Sequence, residues 1–268
     1  MKTEGYIKTS DNGKVFYTEQ GNGQPIVFIH GWSSNGEHSF GHLADALSVD
    51  ARCIYFDLRG HGKSYSYNAS SIVRLVDDLH DLIIELDLHD VILVGHSLGG
   101  LIIYAYFEMY GGARVSDVAI FDMSPKVLCD TEWSHGLRTA EEPTACIMEH
   151  MMQTMTCGFM SVNGWAMKAA SNMMSAFSPL PYGSVLYTLW LDMLEADYRK
   201  GANSISVPML YFYTENGMYP PSVARWLSRN TKGIYKSIDM KPHSHFTMLG
   251  ETNLIVSEIK KLIKKSNK

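Results

Sequence analysis

The stretch that decides the fold is VILVGHSLGGLIIYAYFEMY, residues 91–110. Its first four residues are uniformly apolar and predict a strand buried on both faces, whereas residues 99–110 predict a helix. Between them, Gly95, Ser97 and Gly99 form the pattern G-x-S-x-G. A chain that turns from strand to helix this tightly strains the central residue, and the flanking glycines remove side chains that would collide. Ser97 is therefore a candidate nucleophile, and a plain tight turn is the alternative interpretation.

Similar apolar runs on both sides of this stretch extend the same organisation along the chain. Strands are predicted at 25–31, 52–62, 115–122, 208–214 and 234–239, and helices at 40–48, 71–86, 221–230 and 252–265. Residues 4–24 instead alternate polar and β-favouring side chains about Asp11-Asn12-Gly13, which is a hairpin turn signal. Strands that alternate with helices predict an α/β fold with a mostly parallel central sheet flanked by helices.

The alternation breaks between residues 125 and 203, where the pattern is helical and rich in methionine. We therefore expect a core domain formed by 1–124 and 204–268, with 125–203 as a helical insertion. Methionine and tryptophan side chains of the insertion predict an adaptable apolar pocket above Ser97. The candidate substrate-binding residues are Trp133, Met152, Trp165 and Trp190.

The composition excludes several classes of function. The 268 residues carry a net charge of −5, without the clustered basic face of a nucleic-acid-binding protein. No apolar run approaches the roughly 18 residues that span a bilayer, and the N-terminus lacks the apolar region of a signal peptide. The four cysteines and 11 histidines have no metal-binding spacing. We expect a cytoplasmic protein that uses no metal or cofactor and binds neither nucleic acid nor membrane; monomer and dimer both remain open.

A serine nucleophile needs donors that stabilise the oxyanion formed on attack. The run His30-Gly31-Trp32 ends an earlier predicted strand, with a glycine that lets the backbone turn towards the site. The backbone N–H groups of Trp32 and Leu98 are the candidate oxyanion hole, helped by the positive end of the helix that follows Ser97. His30 is expected to be a structural hydrogen-bonding residue beneath this loop.

Four motifs together resemble the α/β-hydrolase superfamily: HGW (30–32), DLRGHGKS (57–64), GHSLGG (95–100) and HSHF (243–246). They occur in the family's order, and the resemblance covers nearly the whole chain. It implies a serine hydrolase whose helical cap is the segment 125–203. It also implies that the DLRGHGKS loop is mainly structural, and that a catalytic triad follows the chain order nucleophile, acid, base.

The resemblance places the catalytic base in the loop after the last strand, which offers His243 and His245. In relatives, a bulky residue follows the base, and an acidic residue opens the final helix about five residues later. His245, followed by Phe246 and Glu251, fits this pattern better. His243 is the alternative, and the histidine that is not the base is expected to be a loop or pocket residue.

The acid is where the chain departs from the family pattern. The usual aspartate follows the penultimate strand, but the alignment puts Gly217 at that position, and no aspartate occurs from 198 to 238. Asp122 ends the preceding strand, where some members of the superfamily carry their acid. Glu215 lies two residues before the vacant position and is the alternative, and a helix or turn cap is the structural interpretation of Asp122. We expect Asp122 to complete the triad with Ser97 and His245.

These inferences lead to one expected activity and two alternatives. We expect a serine hydrolase that cleaves a carboxylic ester, thioester or lactone with an apolar acyl or aromatic group through an acyl-enzyme, with a small molecule as its partner. Acyl transfer or perhydrolysis on the same triad is the first alternative. The second is a non-catalytic receptor for a small ligand, which the vacant acid position favours.

Overall fold

The computed structural model describes residues 2–64, 70–137, 185–241, 243 and 245–263. Within them the chain forms an eight-stranded sheet. Numbered along the chain, the strands are β1 (Thr3–Lys8), β2 (Lys14–Gln20), β3 (Pro25–Ile29), β4 (Arg52–Phe56), β5 (Val91–His96), β6 (Val115–Phe121), β7 (Met209–Tyr213) and β8 (Tyr235–Asp239). Their order across the sheet is β1-β2-β4-β3-β5-β6-β7-β8.

The sheet is antiparallel only at one edge. β1 pairs with β2, and β2 with β4, in antiparallel register, while the remaining pairs from β4 to β8 are parallel. The hairpin between β1 and β2 turns at Asn12, which has a positive φ of 64°, as an asparagine in a tight turn tolerates. The predicted α/β fold with a mostly parallel sheet is confirmed.

Helices flank this sheet in the described part of the chain. They are α1 (Gly36–Leu47), α2 (Ile72–Glu85), α3 (Leu98–Met109), α4 (Val185–Glu195), α5 (Arg199–Ser204), α6 (Ser222–Asn230) and α7 (Thr252–Lys260). Ser71 caps α2, because its side chain accepts the N–H of Arg74 at 3.2 Å. Helix α3 is buried over most of its length and contacts β5, α2 and α5. None of the described helices is long and apolar enough to cross a membrane.

The predicted insertion begins and ends at neighbouring points of the core. Lys126 and Asp197 form an antiparallel bridge, and the N–H of Tyr198 donates to the carbonyl of Pro125 at 2.8 Å. Helix α5 runs one residue past the predicted boundary at 203. Residues 138–184, with the candidate pocket residues Met152 and Trp165, lie outside the described residues.

Parallel strands place their carboxyl ends at one edge of the sheet, where sites form in open α/β folds. β3, β5, β6, β7 and β8 all end there. The segments that follow them contain Gly31, Ser97, Asp122, Gly217 and His245. The fold therefore brings together candidate residues from five separate stretches of sequence.

Candidate active site

Ser97 occupies the strained turn that its sequence context predicts. Its φ is 52° and its ψ −120°, and its N–H donates to the carbonyl of Phe121 at 3.1 Å. Gly95 and Gly99 pack against each other, since a Cβ at Gly95 would lie 2.5 Å from the backbone of Gly99. Ser97 precedes α3, but its side chain makes no capping hydrogen bond to that helix. The hydroxyl is thus not used to cap the helix.

The loop after β3 lies directly beside Ser97. A Cβ added at Gly31 would be 3.3 Å from Cβ of Ser97, so the backbone of the next residue, Trp32, is close to the serine. Leu98 is the first residue of α3 and follows Ser97 in the chain. The two backbone segments predicted to supply the oxyanion donors therefore both lie close to Ser97.

Asp122 is fully buried at the end of β6 and hydrogen-bonded to His245. Oδ2 of Asp122 accepts Nδ1–H of His245 at 2.7 Å and the N–H of Met218 at 2.8 Å. Because the carboxylate can only accept, Nδ1 of His245 carries the proton, and Nε2 is left as the basic nitrogen. His245 and Ser97 line the same cavity. Asp122 itself has a positive φ of 42°, which is strained for a residue with a side chain.

Gly217 leaves the space that the carboxylate of Asp122 fills. A Cβ at Gly217 would lie 2.6 Å from Oδ2 and 2.7 Å from Oδ1 of Asp122, closer than atoms can approach. The alternative acid, Glu215, is 62% exposed and pairs with Lys241 at 2.7 Å. Among the two candidate acids, Asp122 at the end of β6 is therefore the one that contacts His245. The side chain of Glu215 instead lies at the surface.

Two buried tyrosines support the backbone that carries Asp122. The hydroxyls of Tyr104 and Tyr211 both donate to the carbonyl of Met123, each at 3.2 Å. Burial holds the pKa of each hydroxyl well above its usual range, so both remain donors at neutral pH. The strained residue Asp122 is therefore followed immediately by a doubly hydrogen-bonded peptide.

The second histidine of the loop, His243, has a different environment. Its carbonyl accepts the hydroxyl of Thr214 at 2.7 Å, and its ring packs against Gly250. Nε2 lies 3.7 Å from Oε1 of Glu251. His243 thus links the loop to the end of β7 and the start of α7, and it is His245 that contacts Asp122.

Sequence reasoning missed His96, the residue before the serine. Its Nε2–H donates to the carbonyl of His245 at 3.0 Å, and the two rings lie 4.7 Å apart. Burial holds the pKa of His96 well below its usual range, so the ring is neutral. The pattern G-x-S-x-G treats this position as variable, and only the fold brings it against a residue 149 positions away.

His30 and His61 lie beneath the loop that carries Trp32. Nε2 of His30 accepts the N–H of Leu58 at 2.9 Å, in agreement with the expected structural role. Nε2 of His61 accepts the N–H of Ser33 at 3.1 Å, where Ser33 has a positive φ of 58°. Burial lowers the pKa of His30 to about 4 and that of His61 to about 3. Both rings are therefore neutral at neutral pH.

The cavity above Ser97 is mainly apolar. Its apolar walls include Val127, Leu137, Trp190, Met193, Met218, Tyr219, Phe246 and Met248. Trp190, one of the four candidate substrate-binding residues, is part of this wall. Trp133 is outside the described lining: its ring packs edge-on against Trp226, and its Nε1–H donates to the carbonyl of Lys126 at 3.1 Å. No group of three or more potential metal ligands occurs in the described parts of the chain.

The sheet order, the strained serine and the buried acid–histidine pair define a class of protein that comparison identifies. The model of the Alpha/beta hydrolase family matches residues 26–253, which is most of the chain. This chain belongs to the alpha/beta hydrolase family.

Individual relatives agree with this assignment. An esterase from Exiguobacterium antarcticum superposes with a TM-score of 0.83 at 22% identity, covering 97% of this chain and 99% of that one. A pimeloyl-[acyl-carrier protein] methyl ester esterase from Vibrio cholerae is 27% identical over 224 residues, which are 80% of this chain and 84% of the relative. The non-heme chloroperoxidase CPO-A1 of Kitasatospora aureofaciens is 36% identical over 125 residues. That alignment spans about half of each protein, 46% of both.

Proposed function

We propose that this protein is a serine hydrolase that cleaves a carboxylic ester, thioester or lactone through an acyl-enzyme. The observation that carries the proposal is the buried hydrogen bond between Asp122 and His245, a histidine that lines the same cavity as Ser97. A serine hydroxyl becomes an effective nucleophile only when an oriented base removes its proton. Similarity to a relative named as a methyl ester esterase over 80% of the chain supports the same bond type.

The reaction begins with proton transfer from Ser97 to Nε2 of His245, as Oγ attacks the carbonyl carbon. Asp122 fixes the tautomer of the imidazole and stabilises the imidazolium without itself taking the proton. The negative charge that develops on the carbonyl oxygen is stabilised by the backbone N–H groups of Trp32 and Leu98. The tetrahedral intermediate then expels the alcohol or thiol, which receives the proton from His245.

Hydrolysis of the acyl-enzyme reverses these roles. Nε2 of His245 takes a proton from a water molecule, which attacks the acyl carbon, and the second tetrahedral intermediate releases the acid and restores Ser97. The apolar side chains above Ser97 exclude other water from the site and bind the acyl or aromatic part of the substrate. We assign the segment 125–203 as the cap, since α4 contributes Trp190 and Met193 to this wall.

A second acceptor for the acyl group is favoured by one comparison. The relative that is 36% identical over 125 residues is named as a chloroperoxidase, so its name specifies peroxide chemistry. If hydrogen peroxide replaces water at the deacylation step, the same intermediate yields a peracid. Perhydrolysis needs no catalytic residue beyond the triad. Water and peroxide would compete for the same acyl-enzyme, so added peroxide should lower the yield of the carboxylic acid as the peracid forms.

Covalent labelling tests the proposal directly. A fluorophosphonate should label the wild-type protein at Ser97 and leave the Ser97→Ala variant unlabelled, and only the wild type should hydrolyse a panel of simple esters, thioesters and lactones. A serine that stays unlabelled in folded protein, together with an inactive panel, would instead favour a non-catalytic receptor. Peracid formation from the same esters in peroxide would establish the second acceptor.

A further inference from the structure

One buried hydrogen-bond donor in the cavity wall has no acceptor. Trp190 is 1% exposed and lines the cavity with Ser97 and His245, yet its Nε1–H has no hydrogen-bond partner among the described residues. A buried donor without an acceptor costs free energy, because its hydrogen bond to water is lost and not replaced. Because Trp190 is part of the wall of this cavity, a ligand bound there could supply the acceptor.

Two other buried indoles of the described chain do have acceptors. Nε1–H of Trp32 donates to the carbonyl of Leu186 at 2.9 Å, and that of Trp133 donates to the carbonyl of Lys126 at 3.1 Å. Trp32 and Trp190 are neighbours, with ring centroids 5.5 Å apart. Helix α4 thus supplies an acceptor to Trp32 from its first turn, whereas the indole N–H of its own Trp190 is left without one.

A second polar feature occurs in the same wall. The hydroxyls of Ser34 and Ser39 lie 2.8 Å apart and share a hydrogen bond, and both residues line the cavity. Two hydroxyls have two protons, and their mutual bond uses only one. The pair therefore has a second proton to donate, so the mainly apolar lining contains this donor in addition to the indole N–H of Trp190.

The charge of the lining restricts what these donors can bind. The described residues of the cavity include no aspartate, glutamate, lysine or arginine. A carboxylate or phosphate on the bound acyl group would be buried without a permanent counter-charge, at a high desolvation cost. An ether, ketone or amide oxygen accepts a hydrogen bond without that cost.

We propose that the cavity selects acyl groups that carry one uncharged oxygen acceptor along an otherwise hydrocarbon chain, and that Nε1–H of Trp190 donates to that oxygen. The proposal rests on the proposed ester hydrolase function and specifies its substrate class. Trp190 is then a specificity-determining residue, since it distinguishes an oxygen from a methylene group at one position of the chain. A site built to donate to a substrate oxygen discriminates against the analogue that lacks it.

Matched esters test this selection. We would measure kcat/KM for the 4-nitrophenyl ester of heptanoic acid and for analogues in which the methylene at position 4, 5 or 6 is replaced by oxygen, each normalised to its alkaline hydrolysis rate. The wild type should prefer one oxygen analogue by about fivefold or more, the value of roughly one hydrogen bond. Trp190→Phe, which keeps an aromatic ring, should abolish that preference. Trp226→Phe, the same substitution at a half-buried tryptophan outside the described lining, should leave the ratio unchanged.

The outcomes separate this inference from the proposed function. A wild type that hydrolyses the heptanoate but prefers no oxygen analogue overturns the inference alone, as does a preference that survives Trp190→Phe. A wild type that hydrolyses none of the esters, thioesters and lactones of the panel, and that a fluorophosphonate does not label, overturns the proposed function.

A binding measurement on the wild-type protein tests the inference even if the Trp190→Phe variant does not fold or the esters are not hydrolysed. The indole N–H signal of Trp190 in wild-type protein, assigned through the backbone by NMR, should move downfield on binding one of three methyl ketones that carry the chain oxygen at position 4, 5 or 6. The all-carbon ketone should not produce this shift. Equal shifts with all four ketones would overturn the inference.

Discussion

Two adjacent strands of the sheet end differently at the site. β6 ends in Asp122, a fully buried residue with a φ of 42°. β7 ends in a turn that contains Gly217, at the position where the family pattern places its acid. A side chain at Gly217 would collide with the carboxylate of Asp122. The two strand ends therefore share one space, which holds a single carboxylate.

The comparison shows what this site requires of its acid. In the proposed mechanism His245 needs an oriented carboxylate at Nδ1, and the ends of β6 and β7 both border the space beside that atom. Here β6 supplies the carboxylate, while β7 contributes a glycine and the N–H of Met218, which donates to Oδ2 of Asp122. We therefore expect a carboxylate carried by β7 to reach the same position relative to the histidine.

The largest effect is expected from removing the carboxylate at the end of β6. Asp122→Asn should lower kcat/KM for a reactive ester by about 10⁴-fold, because the amide allows the wrong tautomer of His245. Glu215→Gln is the matched control and should remain within about twofold of wild type, since its side chain is exposed and paired with Lys241. Steady-state kinetics of the two variants measures both effects. An inactive Glu215→Gln variant beside an active Asp122→Asn variant would show that the acid is on β7 and not on β6.

A smaller loss of activity is expected when a methyl group is added in the turn after β7. Gly217→Ala places a Cβ 2.6 Å from Oδ2 of Asp122, so the carboxylate has to move. A displacement of this size at a catalytic group costs about 10²-fold in kcat/KM. Asn216→Ala, at an exposed neighbouring position, should have wild-type rates. Unchanged activity in Gly217→Ala would show that the two strand ends do not share a space.

The tyrosines that hold the peptide after Asp122 should have a weaker influence. Tyr104→Phe and Tyr211→Phe each remove one hydrogen bond to the carbonyl of Met123. Each should lower the free energy of unfolding by about 1 kcal/mol, and the double variant should lower kcat by about fivefold with little change in KM. Tyr6→Phe, at an exposed tyrosine, controls for the loss of a hydroxyl. An unaltered kcat in the folded double variant would show that the two tyrosine hydrogen bonds only stabilise the fold.

The last expected effect is a pH dependence of stability. It comes from the neutral histidines below the loop of Trp32 and not from either strand end. Burial lowers the pKa of His30 to about 4 and that of His61 to about 3, whereas an unfolded chain binds these protons near pH 6.5. The unfolded state thus binds more protons below pH 6.5, so stability is full above that pH and is lost towards pH 3. Each histidine lowers the free energy of unfolding by up to about 1.4 kcal/mol for every pH unit by which the pH falls in this window. Urea unfolding of wild type and His61→Gln from pH 7 to 4 measures it, and equal slopes would contradict the assignment.

The sequence was most informative where chemistry depends on local geometry. Gly95, Ser97 and Gly99 are close in the chain, and their spacing between a predicted strand and a predicted helix indicates a strained turn, which the structure has. His245 and its neighbour His243 were distinguished by family resemblance, and the contact with Asp122 is made by His245.

Sequence reasoning was weaker where the site depends on neighbouring strands. The choice between Asp122 and Glu215 depends on which side chain faces the histidine loop across β6 and β7, and no local pattern specifies that direction. His96 was missed because its partner is a backbone carbonyl on a distant loop. Trp133 and Trp190 are both buried, yet only Trp190 lines the described cavity, a difference that composition cannot reveal.

The measurement that tests the shared space most directly is the acylation rate of an exchange variant. Asp122→Gly removes the acid from a position whose positive φ suits glycine. Gly217→Asp, added to it, returns a carboxylate from β7, where the backbone does not lie in the left-handed region. We predict that the single-turnover rate of the double variant exceeds that of Asp122→Gly alone by about tenfold or more, and that Gly217→Asp alone is slower than wild type. A folded double variant no faster than Asp122→Gly would contradict the account.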